Sequence, residues 1–165
     1  MKNILVLEDD PANLQVFVAL LWSKGHNVLE ASTAREALVA ARREERLNLL
    51  VSDVALKGDP MSGTEVATVL VDGQGVLPII FVTGTPLEFW DESDRQNLRA
   101  LRLGNSVVIL EKPFMPLAFQ STVDSLLRQT DIITNGSHAA SAKMFATGSN
   151  ARPISERTRS ASGKT

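Results

Sequence analysis

The sequence predicts an α/β protein over residues 1–130, an open, doubly wound sheet of five parallel strands in the order (βα)5. Three observations predict it. Apolar runs of strand length recur along the first 112 residues, and they are continuous rather than alternating, as strands covered on both faces are. Segments between them carry apolar residues at helical spacing behind capping residues. Strand and helix alternate throughout, and right-handed crossovers turn such a repeat into a parallel sheet with helices on both faces.

The first strand is Ile4, Leu5, Val6 and Leu7. Asp10 then caps a helix with Pro11 at its first position, where the missing N–H would have had no partner anyway. Leu14, Phe17, Val18 and Leu21 mark its buried face, and Gly25 ends it. A weaker second strand is HNVLEA at 26–31. Thr33 and Glu36 have the spacing of a capping box, ahead of Ala37, Leu38 and Ala41 on one stripe. LNLLVS at 47–52 is the third strand; Ser62 and Glu65 form a second box leading into Val66, Val69 and Leu70. LPIIFV at 77–82 is the fourth strand, followed by a helix over 91–103 that Gly104 closes. SVVIL at 106–110 is the fifth, and a last helix runs from about Pro116 to Gln129 with Phe119, Val123, Leu126 and Leu127 turned inward.

The chain has 165 residues, 44% hydrophobic and 22% charged, enough for one domain with a remainder. It has no cysteine, which excludes disulfides, thiolate catalysis and Cys-ligated metals. No stretch reads as a signal peptide or a membrane span, so a cytoplasmic protein without membrane insertion is expected. The net charge of −2 conceals an asymmetry. Residues 1–130 hold 12 Lys/Arg against 17 Asp/Glu, a balance of −5, and residues 131–165 hold 5 against 2, a balance of +3. The acidic front is a poor match for nucleic acid, and no direct nucleic-acid partner is expected. Residues 131–165 are rich in Ser, Ala, Thr, Gly and Asn, with too few large apolar residues to offset the entropy of ordering. They are expected to form a disordered basic tail with at most a short helix at 138–146.

In open parallel sheets ligands bind beyond the carboxyl ends of the strands. Glu8 and Asp9 follow the first strand, Asp53 the third, Thr83 the fourth and Lys112 the fifth. Each has a plain explanation when taken singly. Asp10 is a helix cap, Asp53 a turn residue, Thr83 before Gly84 a turn opener, and Lys112 before Pro113 a loop lysine. Their convergence on one edge is what points to chemistry. Carboxylates this close repel unless a cation lies between them. A hard divalent ion takes oxygen ligands, so a metal ion is expected there, with Lys112 as a second positive charge.

Residues 1–130 resemble a response-regulator receiver domain, the aspartate-phosphorylated module of two-component signalling. The resemblance lies in VLEDDP, in the Asp53 of LLVSDVAL, in FVTG around Thr83 and in EKPF around Lys112. It implies a flavodoxin-like fold with Asp53 as phosphoacceptor. It implies Mg2+ or Mn2+ held by Asp9 directly, by Glu8 through water, by Asp53 and by the backbone carbonyl of Ala55. Thr83 matches the hydroxyl that follows the phosphoryl group, and Lys112 the lysine that pairs first with the acceptor and then with the phosphate. A cis Lys112–Pro113 peptide is also implied. The phosphodonor would be a sensor histidine kinase or a histidine phosphotransfer protein. The output would be an unidentified downstream protein or a homodimer formed on activation, not an enzymatic reaction of its own.

The chain departs from that pattern in places. Ile109 stands where the family usually has an aromatic that turns inward with the threonine. The loop VALKGDPMSG is long and lacks a proline soon after Asp53, and a surplus lies in GTPLEFWDESD. Phe89 and Trp90 in that surplus are either an exposed anchor for a partner or a plug packed onto the core, the commoner fate of large aromatics. A phosphatase of the haloacid-dehalogenase type would need an acid at Ala55 for proton transfer. A dinucleotide-binding fold would need a glycine-rich cradle where Glu8 and Asp9 stand. The terminal SGKT lacks the preceding strand and glycine of a phosphate loop. A pseudo-receiver with the same fold and no phosphotransfer is the remaining alternative. With no output domain expected after residue 130, a stand-alone receiver is predicted, serving as phosphate shuttle or sink or binding a partner.

Overall fold

In the computed structural model, residues 1–130 are described. Five strands alternate with five helices: β1 (Asn3–Leu7), α1 (Pro11–Trp22), β2 (Asn27–Ala31), α2 (Ala34–Ala41), β3 (Leu49–Asp53), α3 (Gly63–Gln74), β4 (Ile79–Thr83), α4 (Glu92–Gly104), β5 (Val107–Glu111) and α5 (116–130). All strands are parallel, in the order β2-β1-β3-β4-β5. The expected doubly wound sheet is therefore present. The predicted tail at 131–165 and its short helix lie outside the described residues.

Alternate residues of each strand feed two cores. Leu5, Leu7, Leu50, Ile79 and Phe81 pack against α2, α3 and α4 through Ala34, Ala37, Val66, Leu70, Leu98 and Leu101. Ile4, Val6, Val51, Ile80 and Val82 pack against α1 and α5 through Phe17, Leu21, Phe119, Val123 and Leu127. Such double coverage is why the strands read as unbroken apolar runs. β2 and β5 are the exceptions. As edge strands each has a single neighbour and is only partly buried over most of its length.

The sheet reverses its direction of growth at β1, which pairs with β2 on one side and β3 on the other. The helices that follow these strands leave on opposite faces, and a crevice opens between their starts at the carboxyl ends of β1 and β3. Two caps hold that rim. Asp10 accepts the N–H groups of Ala12 (2.9 Å) and Asn13 (3.0 Å) at the start of α1. Ser62 and Glu65 close the predicted capping box on α3. The box expected at Thr33 is only half made. Thr33 accepts the Glu36 N–H, but the Glu36 carboxylate reaches back to the backbone N–H and the hydroxyl of Ser32, each at 2.8 Å. α1 ends at Trp22, earlier than expected, and Gly25 at φ 76° completes the turn into β2. That is the left-handed conformation that favours glycine.

Candidate functional site

The chain leaves β1 at Leu7, and the Glu8 N–H still bonds the Ala31 carbonyl at 3.1 Å. Glu8 thereby stays in line with the strand and its side chain is buried, at 1% exposure. Asp53 is the last residue of β3, half-buried beside it. Lys112 follows β5, held at its backbone by a 2.7 Å bond from its N–H to the Thr83 carbonyl. Its ammonium spans the edge, donating to Glu8 Oε2 at 2.8 Å and to Asp53 Oδ2 at 2.9 Å. One lysine thus ties together the ends of β1, β3 and β5.

One positive charge does not balance this cluster. Oxygens of Glu8, Asp9 and Asp53 all lie within 4.8 Å of one another. Burial pushes the Glu8 carboxyl above its usual range, and the hydrogen bond and charge of Lys112 offset that push only in part, while the nearby Asp53 adds to it. Burial also opposes the charge on Lys112, but its hydrogen bonds to Glu8 and Asp53 and their negative charges outweigh it and hold the ammonium above its ordinary pKa. The other oxygens take backbone donors. Asp53 Oδ1 accepts from Ala55 N–H at 3.2 Å, Asp9 Oδ2 from Lys57 N–H at 3.3 Å and Glu8 Oε1 from Asp10 N–H at 3.3 Å. The result is an oxygen-rich site with surplus negative charge, a donor set that fits a hard divalent cation.

Asp53 is fixed from below by close packing that sequence reasoning did not find. Ser52 Oγ donates to the Asp53 carbonyl at 2.8 Å, and the Gly63 N–H bonds the Val54 carbonyl at 2.9 Å. A Cβ on Gly63 would lie 1.8 Å from the Asp53 carbonyl oxygen. Only glycine lets α3 begin this close to the end of β3. The available signal was a weak helix former at the first helical position behind the Ser62 cap.

Thr83 reaches the same edge and is fully buried, yet its hydroxyl faces its own loop. It donates to the Thr85 carbonyl at 3.1 Å and accepts the Thr85 N–H at 3.0 Å. The two neighbouring aromatics divide the alternatives read from the sequence. Trp90 is the plug, 4% exposed and edge-on to Phe81 with ring centroids 6.1 Å apart, whereas Phe89 is 72% exposed. Behind them Asp94 on α4 accepts the hydroxyls of Ser62 and Thr64, and Asn97 donates to Thr64, tying α4 to the start of α3. The Lys112–Pro113 peptide is cis, as expected.

With this arrangement in view, the chain matches the family model described as the response regulator receiver domain over residues 4–124. The chain belongs to that family. This receiver is similar to the polar-differentiation response regulator DivK of Brucella anthropi, at 29% identity over 128 residues covering 76% of this chain and 96% of the relative. Its fold superimposes on a CheY-like receiver domain protein from Methanospirillum hungatei with a TM-score of 0.66 and 27% identity, over 79% of this chain and 97% of that one. The Vibrio cholerae chemotaxis protein CheY4 gives 0.63 and 25%, over 76% and 98%. A receiver is a signalling domain of two-component systems. Among the described residues no helix is long and apolar enough to cross a membrane.

Proposed function

We propose that this receiver takes a phosphoryl group onto Asp53 from a phosphohistidine of a sensor kinase or a phosphotransfer protein, and signals in the cytoplasm through a change at its surface. The observation that carries this reading is the Lys112 ammonium held between Glu8 and Asp53 over a carboxylate cluster that one lysine cannot neutralise. An Asp53 carboxylate oxygen would form the bond to phosphorus as the phosphorus–nitrogen bond breaks and the imidazole departs. Such transfers depend on positioning and on relief of charge on the phosphoryl oxygens rather than on covalent help from the protein.

Positioning falls to residues already described. The Ala55 N–H and the Lys112 ammonium fix the two Asp53 oxygens, and the approach of Gly63 fixes the backbone beneath them. Lys112 keeps its place and exchanges an Asp53 oxygen for a phosphoryl oxygen. Asp9, Asp53, the Ala55 carbonyl and, through water, Glu8 would hold Mg2+ or Mn2+, which when bound supplies further charge relief. Thr83 would turn from Thr85 toward the new dianion. We assign this whole reaction to residues 1–130 and give residues 131–165 no part in it.

The test is the intact mass after incubation with Mg2+ and acetyl phosphate, beside an Asp53→Asn control. One phosphoryl group is expected on the wild type, none on the variant and none when a chelator is present throughout. A wild type that binds Mg2+ yet gains no mass would replace this reading with that of a pseudo-receiver, a phosphorylation-independent binding module.

A further inference from the structure

Trp90 closes the loop that holds the Thr83 hydroxyl. We infer that it is a positioning residue for that hydroxyl: its indole N–H keeps the Thr85 carbonyl satisfied when Thr83 lets go of it. The inference rests on Asp53 being the phosphoacceptor and Thr83 the group that follows the phosphoryl oxygens.

The Thr83 hydroxyl is committed on both sides, donating to the Thr85 carbonyl at 3.1 Å and accepting the Thr85 N–H at 3.0 Å. To donate to a group on Asp53 it must give up its single donated bond, the one to the Thr85 carbonyl. Thr85 is itself exposed, but its carbonyl is bonded by two buried side chains, Thr83 and Trp90, in part-buried contacts. To be left without a donor there would cost about what one neutral hydrogen bond is worth. The Thr85 carbonyl escapes that outcome because Trp90 Nε1 donates to the same oxygen at 2.9 Å. A carbonyl oxygen has two lone pairs, so it takes both donors at rest and keeps one after Thr83 has turned away.

The indole is well placed for this task. Its ring is buried and packs edge-on against Phe81 at an interplanar angle of 87°. Phe81 lies two residues before Thr83 and therefore on the same face of β4. The backbone around Trp90 is held by bonds that do not involve Thr83. Phe89 N–H bonds the Pro86 carbonyl at 2.9 Å, Trp90 N–H the Leu87 carbonyl at 3.2 Å, and Arg95 Nη1 on α4 donates to the Glu88 carbonyl at 3.2 Å. The loop can thus stay in place while one hydroxyl rotates. On the other flank Ile109 sits opposite Phe81 in the β4–β5 register and offers no polar group, so the stabilising donor comes from the loop and not from β5.

The experiment measures binding of beryllofluoride, a stable mimic of the phosphoryl group, in the presence of Mg2+. Bound fraction is read by fluorine NMR for the wild type, Trp90→Phe, Thr83→Ala and the double variant. Phenylalanine keeps an aromatic ring against Phe81 and removes the N–H. Trp90→Phe is expected to weaken binding on the order of fivefold, the worth of one neutral hydrogen bond. The same change is expected to have no effect in the Thr83→Ala background, where there is no hydroxyl to release. Equal weakening in both backgrounds would make Trp90 a packing residue only and overturn the inference, as would no weakening in either. If the wild type binds no more beryllofluoride than Asp53→Asn, the phosphoacceptor reading falls and this inference falls with it. A second measurement leaves Trp90 intact. In the Trp22→Phe protein at rest, the Trp90 indole proton resonance is expected to move downfield when Thr83→Ala ends the sharing of its acceptor. An unmoved resonance would overturn the shared carbonyl.

Discussion

The two ends of this sheet are built from the same strands by opposite means. At the amino end the strand starts are joined mainly by neutral amides, with one carboxylate, Glu44 Oε2, accepting from Asn3 Nδ2 at 2.9 Å. Asn3 N–H bonds Asn48 Oδ1 at 2.8 Å, Asn27 Nδ2 bonds Asn3 Oδ1 at 3.1 Å, Gln74 bonds both the N–H and the carbonyl of Leu47, and Asn105 Oδ1 accepts the Leu77 N–H at 2.8 Å. At the carboxyl end three carboxylates face one ammonium. This amide network is closed, since each of these donors has its acceptor; beside it, the ring of His26 has none among the described residues. The carboxyl end is electrostatically incomplete, a state that lowers stability and that, in the function proposed above, a cation and a phosphoryl group make use of. On that proposal the difference marks where in this fold stability is secured and where it is given up for chemistry.

The largest effect should come from breaking the charged end. Lys112→Met leaves Glu8 buried and Asp53 half-buried without their shared ammonium, and removing one member of a buried ionic cluster costs about 3–5 kcal/mol. Because the Lys112 side chain keeps 22% exposure, the loss should fall toward the lower end of that range. Urea unfolding without metal measures it. Mg2+ should restore much of the loss and should stabilise the variant more than the wild type, since binding to the native state alone adds stability by mass action. A deficit that is the same with and without Mg2+ would mean that Lys112 and the metal do not answer the same charge.

An intermediate effect is expected at the amino end. Asn105→Ala removes the acceptor of the Leu77 N–H in a fully buried stretch, and orphaning such a donor costs about 1–3 kcal/mol. The contrast with Lys112 lies in what stays constant. The urea midpoint should drop equally with and without Mg2+, and the rate of phosphate uptake from acetyl phosphate should not change. A slower uptake would show that the amino end also positions the site, and the division between the two ends would not stand.

The same division explains what could be read in advance. The strands were legible because burial on both faces leaves unbroken apolar runs, and the residues that meet at the carboxyl edge because each stands one or two positions beyond such a run. Asp10, Pro11, Ser62 and Glu65 act on near neighbours, so local rules located them. Gly63 against the Asp53 carbonyl, and Asp94 beneath Ser62 and Thr64, depend on how α3 and α4 approach the strands, and no spacing along the chain encodes that distance. Glu36 passing over Thr33 to reach Ser32 is a choice between two nearby donors that only the folded loop decides. Phe89 and Trp90 are adjacent and chemically alike. A 3-10 turn at Leu87–Phe89 ends between them and sends one outward and the other onto Phe81.

The smallest expected effect is a pH dependence that belongs to the amino end alone. Both ring nitrogens of His26 are buried without a hydrogen-bond partner among the described residues. Its pKa lies below the ordinary 6.5, first because burial disfavours the charged ring and then because the N-terminal ammonium, Lys24 and Lys2 repel it; Asp124, which pairs with Lys24 at 3.2 Å, pulls the other way. The unfolded chain therefore takes up a proton as the pH falls through 6.5 while the folded chain resists it. More protons on the unfolded state means that stability declines with falling pH, from the unfolded value down to the lower folded one, and is fully present above that window. His26→Leu should flatten the change in urea midpoint between about pH 7.5 and about pH 5.5, whereas Asp53→Asn should leave that component in place. If the slope is unchanged by His26→Leu and removed by Asp53→Asn, the acid sensitivity belongs to the carboxylate cluster. The amino end would then be electrostatically silent, a sharper form of the same contrast.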